Sequence, residues 1–437
     1  MSKFLKSIMP VTAERRSNGH LYVGGHDLAV LAAKWGTPLY IYDSTTIHQQ
    51  VQTLKDVLTN CYAGKYEITY ACKAYFSLGF ARRVKELDLG LDVVSLGEAR
   101  LALRGGILPD RLHLHGNNKS EEEIRLALAN DFQAIVLDSM DELDLVEQIA
   151  SQMNKRARVW IRVTPGFEVD THPYRQTSHP TSKFGFLLQD GEAAAAIRRA
   201  MASDWLHLTG LHTHIGSQIF EVQPFMTAVD VLMKLAAQEG FVPEEISPGG
   251  GWGVPYLPSD AHNGAAEWLQ AVCSRVKQQC ERRNWPLPKL ILEPGRLIVA
   301  RAGMVVYTVG NSKTVADGSY VISIDGGMAD NPRPALYESK YTACLVNRVE
   351  GPYDRLTRLV GKFCESGDMI IGEARLPEMH RGDLVAVPVA GAYQLSMSSN
   401  YNLAPRPAVL WLEPHKVTVL QNREEPDRGG WWVSGEG

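Results

Sequence analysis

The run I-T-Y-A-C-K-A-Y-F-S, from Ile68 to Ser77, ends an apolar, β-branched and aromatic stretch in a single lysine, Lys73. A lysine at the mouth of a buried strand keeps its stem among apolar groups while its amine faces a cleft. That placement suits a Schiff base with a carbonyl cofactor; a strand-end lysine that merely reaches solvent is the plainer reading. Three more segments dense in chemistry follow: H-T-H-I-G-S (His212–Ser217), S-P-G-G-G-W-G (Ser247–Gly253) and E-P-G-R (Glu293–Arg296). Consecutive Gly249, Gly250 and Gly251 let the backbone approach a ligand closely and turn several N–H groups inward, a nest for a phosphate to which Ser217 can add a hydroxyl. Gly295 and the amide of Arg296 offer a similar grip. Glu293 set against a pyridine nitrogen would favour its protonated form and make the ring an electron sink. The bland alternatives are glycines that only make tight turns and a Glu293 salt-bridged to a core arginine.

His212 and His214 share one face of an extended segment, as do His113 and His115. Zinc sites need three or four protein ligands. No third ligand of comparable quality stands beside either pair in the sequence, so no metal is expected, and one imidazole packed flat on an aromatic cofactor is preferred.

These residues must be carried on strand ends. Short apolar strands recur at Ile68–Cys72, Leu91–Val94, Arg111–Leu114, Ala134–Leu137, Arg158–Val163, Leu208–His212, Glu244–Ile246 and Leu290–Leu292, with helical stretches such as Ser120–Ala129 between them. Glutamates open that helix, where they face unpaired N–H groups. Eight such units fit an α/β fold, a (β/α)8 TIM barrel with reactive residues at the C-terminal strand ends; an open doubly wound sheet is the competitor. After about Arg301, runs such as M-V-V-Y-T-V, Y-V-I-S-I, T-A-C-L-V, L-V-A-V-P-V and A-V-L-W-L predict a second, mainly β domain, a barrel or sandwich. H-L-Y-V-G-G supplies a further strand ahead of a helix over Asp27–Lys34. The expected division is 37–303 for the barrel, with 1–36 and 304–437 forming the β domain.

At 437 residues, two domains are the prior. A net charge of -4, from 45 basic and 49 acidic residues without long blocks of one sign, gives no nucleic-acid footprint. The six cysteines form no CxxC pair, which argues against zinc and against a disulfide framework. Neither a signal peptide nor a membrane span is legible, so a reduced, cytoplasmic protein is expected.

With these motifs assembled, the chain resembles the diaminopimelate decarboxylase family, within the alanine-racemase-like (fold type III) pyridoxal-phosphate enzymes, over about residues 15 to 425. The Y-A-x-K-A, H-x-H-x-G-S, glycine-triplet and E-P-G-R motifs match at Lys73, His212–Ser217, Gly249–Gly251 and Glu293–Arg296. R-P-A-L-Y follows at Arg333–Tyr337, C-E-S-x-D at Cys364–Asp368 and G-A-Y at Gly391–Tyr393. The resemblance implies pyridoxal 5'-phosphate on Lys73, with His214 stacked on the ring and Glu293 at its nitrogen. Ser217, Gly249, Gly250, Gly251, Gly295, Arg296 and Tyr393 would border the cofactor. It implies Arg296, Arg333, Tyr337, Glu365 and Tyr393 for the substrate, with Cys364 as proton donor and Lys73 as the alternative.

Cys364 and Glu365 would cross a homodimer interface into the neighbour's site. The implied reaction is decarboxylation of meso-2,6-diaminopimelate to L-lysine and CO2 through an external aldimine and a quinonoid intermediate, the last step of lysine biosynthesis. Basic-amino-acid decarboxylases of the class carry aspartate after the cysteine, where this chain has Glu365. The loop 170–177 leading to S-K-F-G at 182–185 is of the diaminopimelate type. Tyr75, Ser178 and His179 depart from the common pattern. The rivals are another amino-acid decarboxylase or racemase on the same scaffold, and a non-catalytic carrier of the cofactor.

Overall fold

The structure, a computed structural model, describes residues 5–166, 182–260 and 264–427. The loop 170–177, Ser178 and His179 lie outside the described residues. The chain forms two compact units. One comprises the described residues from Val51 to Gly253 and from 264 to Gly295; the other comprises those up to Gln50, those from Val254 to 260, and those from Arg296 onward.

In the first unit, eight strands follow in order: β1 Tyr66–Ala71, β2 Gly90–Val93, β3 Leu112–Leu114, β4 Ala134–Leu137, β5 Ala157–Thr164, β6 Leu206–His212, β7 Glu245–Ser247 and β8 Lys289–Leu292. Each pairs in parallel with the next. β8 then pairs in parallel with β1, Leu290 against Tyr66 and Leu292 against Ile68, which closes the ring. The closure rules out the open doubly wound sheet. Every expected barrel strand is present, its ends within two residues of those read from the sequence. Parallel pairing demands crossovers, and helices between the strands supply them.

A serine opens each of four crossover helices. Ser77, Ser95, Ser120 and Ser139 cap the helices Leu78–Glu86, Leu96–Arg104, Glu121–Ala129 and Met140–Gln152, their hydroxyls accepting from Phe80, Glu98, Glu123 and Glu142 N–H. Each such cap stabilises by about 1 kcal/mol. At Ser120 the Glu123 carboxylate also accepts from the cap N–H, completing a capping box that orients the helix predicted over Ser120–Ala129. Inside the ring, Ala134, Val136, Trp160 and Ile291 form a buried cluster. The Trp160 indole donates to Glu245 at 2.8 Å, and the Thr209 hydroxyl donates to the same carboxylate at 3.0 Å. Gly210 lies so close that a Cβ there would sit 2.9 Å from the indole and 2.7 Å from the Glu245 carbonyl oxygen.

The second unit is built on a mixed sheet. Its strands Gly303–Thr314, Tyr320–Ile324, Cys344–Leu345, Leu384–Pro388 and Ala408–Glu413 fall on the five runs read from the sequence. Arg355–Val360, Met369–Leu376 and Lys416–Gln421 add three more. Leu21–Val23 lies within H-L-Y-V-G-G, and Asp27 caps the helix Leu28–Trp35. Leu39–Asp43, buried along its whole length, pairs antiparallel with Gly303–Thr314 and parallel with Ala408–Glu413. No helix among the described residues is long and apolar enough to cross a membrane.

Candidate active site

Lys73 follows β1 in a single 3-10 turn, Cys72–Ala74. Its neighbours Cys72 and Ala74 are buried, whereas Lys73 is exposed. The turn is clamped from below: the Tyr70 hydroxyl donates to the Tyr75 carbonyl at 2.8 Å and accepts from the Tyr75 N–H at 3.1 Å. Gly295, just past β8, packs on this turn, and a Cβ there would lie 3.1 Å from the Ala74 Cβ and 3.2 Å from that of Ala71.

Alternation along β3 and β6 aims His113 and His212 into the barrel, both essentially fully buried. The His113 and Trp160 rings lie 4.5 Å apart, and the His115 and His212 rings 5.0 Å apart and edge-on. His212 Nε2 donates to Glu293 at 3.1 Å, and the Ser247 hydroxyl donates to its other oxygen at 2.5 Å. Burial works against the Glu293 charge, but these donors and His115 outweigh it and hold its carboxyl well below the usual range. His212 and His115 are pushed down to about 4, chiefly by burial, so both are neutral at pH 7.

Among the described residues no lysine or arginine forms an ion pair with Glu293, although the buried Arg162 guanidinium feels its charge. A buried carboxylate with only neutral donors keeps its charge for something else. The expectation that the histidine pairs lack a third partner of ligand quality does not hold: His115, His212 and Glu293 bring their ligand atoms within 4.8 Å of one another. Sequence separation hid this triad.

Asp92, at the end of β2, lies 3.4 Å from His115 Nε2 and 3.5 Å from His113 Nδ1. Burial and the Glu293 charge raise its pKa to about 8. His214 stays well below the usual imidazole range because of burial and the positive charges of Lys73 and Arg162. Its Nδ1 accepts from the Gly250 N–H at 3.3 Å.

The glycine triplet has a packing reason of its own. A Cβ on Gly250 would sit 2.1 Å from the Glu293 carbonyl oxygen, one on Gly251 2.1 Å from that of Gly216, and one on Gly249 2.5 Å from that of Thr213. Gly249 and Gly251 also take φ of +78° and +106°. Tight turns therefore demand these glycines whether or not a phosphate binds. Ser217 lies half-buried on the β6 side of this loop.

The second unit gathers the remaining cations and phenols. Arg296 Nη1 donates to the Tyr256 hydroxyl at 2.5 Å, and its guanidinium lies 4.5 Å over the Tyr393 ring. Arg333, 1% exposed, donates from Nη1 to the Tyr341 hydroxyl at 2.6 Å and lies 4.7 Å over the Tyr256 ring. Among the described residues no carboxylate pairs with Arg333. Tyr337 ends the short helix Arg333–Tyr337 and is half-buried.

Cys364 and Glu365 are exposed. Their loop is stapled by Asp368, whose carboxylate accepts from the Met328 N–H at 2.6 Å and the Phe363 N–H at 2.8 Å. Asp92, Ser247, Tyr256, Tyr341 and Gln394 were not singled out from sequence. Only Ser247 and Tyr256, inside or just past the glycine segment, carried a local signal.

Residues 44–300 match the model of the pyridoxal-dependent decarboxylase family, pyridoxal binding domain. Diaminopimelate decarboxylase of Bacillus subtilis is 40% identical over 418 residues, covering 94% of this chain and 95% of that protein. The crystal structure of diaminopimelate decarboxylase from M. jannaschii superposes with a TM-score of 0.89 at 29% identity, covering 95% of this chain and 96% of that one. A point mutant of the Helicobacter pylori enzyme, complexed with L-lysine, gives 0.84 at 32% identity, covering 92% and 97%. The glycine-lined barrel mouth, the lone strand-end lysine and these likenesses over nearly the whole length agree, and the chain belongs to the diaminopimelate decarboxylase family of pyridoxal-dependent decarboxylases.

Proposed function

We propose that the chain decarboxylates meso-2,6-diaminopimelate at its D centre, giving L-lysine and CO2, with pyridoxal 5'-phosphate as cofactor, and that this closes lysine biosynthesis. The observation that carries the reading is the buried, ionised Glu293, held by His212 and Ser247 and ion-paired with no lysine or arginine among the described residues. Such a group fits a protonated pyridine nitrogen. An exposed Lys73 amine and a neutral His214 imidazole complete a donor set suited to an aromatic aldehyde. When bound, the cofactor supplies the electron sink into which the bond to the departing carboxylate discharges.

The chain's residues then have separable tasks. Lys73 holds the aldehyde, and His214 supports one ring face. Ser217, Gly249, Gly250, Gly251, Gly295, Arg296 and Tyr393 are assigned to the cofactor's phosphate end, and the Glu293 charge would favour a proton on the ring nitrogen. Arg296 and Arg333 receive substrate carboxylate oxygens through forked N–H donors, with Tyr337 and Tyr393 beside them. A buried arginine lacking a carboxylate partner favours a diacid over lysine or ornithine, because a ligand without the second carboxylate leaves it unpaired.

Cys364 and Glu365 act from a second copy of the chain. The Cys364 thiol delivers a proton to the reacting carbon, with Lys73 as the alternative donor, and Glu365 meets the distal ammonium. Their exposure supports a homodimer in which this loop is covered. We assign the cofactor to the TIM-type (β/α)8 barrel of the first unit, and substrate recognition and the interface to the β-built second unit. A cytoplasmic location accords with this metabolism. Turnover of diaminopimelate at least a hundredfold above lysine and ornithine is expected from the purified, cofactor-loaded protein; equal turnover would refute the substrate assignment.

A further inference from the structure

Arg333 is a buried cation without a carboxylate among the described residues, so something else must fix its direction. Its Nη1 donates to the Tyr341 hydroxyl at 2.6 Å, and its Nε finds no partner there. The guanidinium lies over the rings of Tyr256 and Tyr341, at 4.7 and 5.8 Å, and those rings meet edge-on at 5.4 Å. The Tyr341 oxygen accepts a second hydrogen bond, from Gln394 Nε2 at 2.9 Å. Gln394 and Tyr341 are 1% and 2% exposed, and the amide oxygen of Gln394 is buried without a partner among the described residues. Two donors pin one phenol oxygen. Gln394 thus fixes Tyr341, and Tyr341, together with the Tyr256 phenol, fixes the fork of Arg333.

We propose that Tyr341, locked by Gln394, is the positioning residue that aims Arg333 at a substrate carboxylate, and that this pair sets the preference for diacids. The inference rests on the diaminopimelate reading but touches neither bond breaking nor the cofactor. Without the Tyr341 hydroxyl, a long side chain regains rotational freedom and a buried N–H loses its acceptor. Recognition of the ligand's carboxylate should suffer far more than the chemical step.

The test uses the cofactor-loaded enzyme and two probes, diaminopimelate for turnover and the straight-chain diacid pimelate for binding by calorimetry. Tyr341→Phe is expected to raise KM for diaminopimelate at least tenfold with a smaller change in kcat, and to weaken pimelate at least tenfold. Gln394→Leu should do the same to a lesser degree. Because Gln394 acts through Tyr341, the double variant should be no worse than Tyr341→Phe alone. Unchanged pimelate affinity in both single variants, strictly additive effects, or a parent enzyme that binds no pimelate would overturn the inference. Should Tyr341→Phe not fold, Gln394→Leu still decides, since unaltered pimelate binding there contradicts the lock. Absence of diaminopimelate turnover by the parent sinks the functional reading instead, and pimelate binding still judges the role of Tyr341.

Discussion

Glu293 illustrates how little of a side chain's chemistry is local. Its neighbours Pro294 and Gly295 say nothing of charge; its state is set by His212, Ser247 and His115, which lie 81, 46 and 178 positions away in the chain. Glu293→Gln keeps the shape and removes the charge. Its kcat should fall by about 100-fold or more, the scale of losing an electrostatic group aimed at developing charge, while the protein still takes up the cofactor. A kcat within threefold of the parent would remove Glu293 from the mechanism. Motif residues such as Lys73 and Glu293 were legible because they sit in short, dense segments. Tyr341 and Gln394 were not: Tyr341 becomes meaningful only through Arg333, and Gln394 only through Tyr341, 53 positions away.

At the scale of elements, short apolar runs recurring between helical stretches located all eight barrel strands. The serines just beyond β1 to β4 mark where each following helix starts. Ser120→Ala removes a capping box and should cost about 1 kcal/mol, read from chemical denaturation, with little effect on activity. Gly250→Ala should be far worse, because its Cβ would meet a backbone carbonyl oxygen at 2.1 Å and not a movable side chain. We expect loss of folded protein or of cofactor uptake, scored by expression and visible absorbance.

Two of the strands missed from sequence share a cause. Arg355–Val360 and Met369–Leu376 mix buried with exposed positions, and arginines or glutamate interrupt their apolar pattern. Leu39–Asp43 has the pattern of a buried strand, yet nothing local reveals that its partners are Gly303–Thr314 and Ala408–Glu413.

For the molecule as a whole, buried ionisable groups predict how stability varies with pH. His115 and His212 have depressed pKa values of about 4, so their contribution is present above their unfolded value near 6.5 and is lost as pH falls through 4. Asp92 is raised to about 8, so its contribution is complete only below its unfolded value and drains away as pH rises to 8. Between pH 6.5 and 8 each histidine still gains about 0.4 kcal/mol as its unfolded imidazole deprotonates, while Asp92 loses more. The cofactor-free protein should therefore lose about 1 kcal/mol over that interval, and Asp92→Asn should abolish the decline. Equal slopes for parent and variant would contradict the protonated state of Asp92.

The proposed sharing of the site between two copies also makes the assembly testable. Heterodimers of a Lys73→Ala chain with a Cys364→Ala chain should recover roughly a quarter to a half of parental activity, since one composite site keeps both residues. Proven heterodimers with no activity would show that Cys364 does not act across the interface.

Attachment of the aldehyde to one amine is the claim on which the rest stands. Borohydride reduction of the cofactor-loaded protein, followed by peptide mass mapping, should place the pyridoxyl group on Lys73 and on no other lysine. An adduct elsewhere, or a protein that binds no pyridoxal phosphate, would contradict the account.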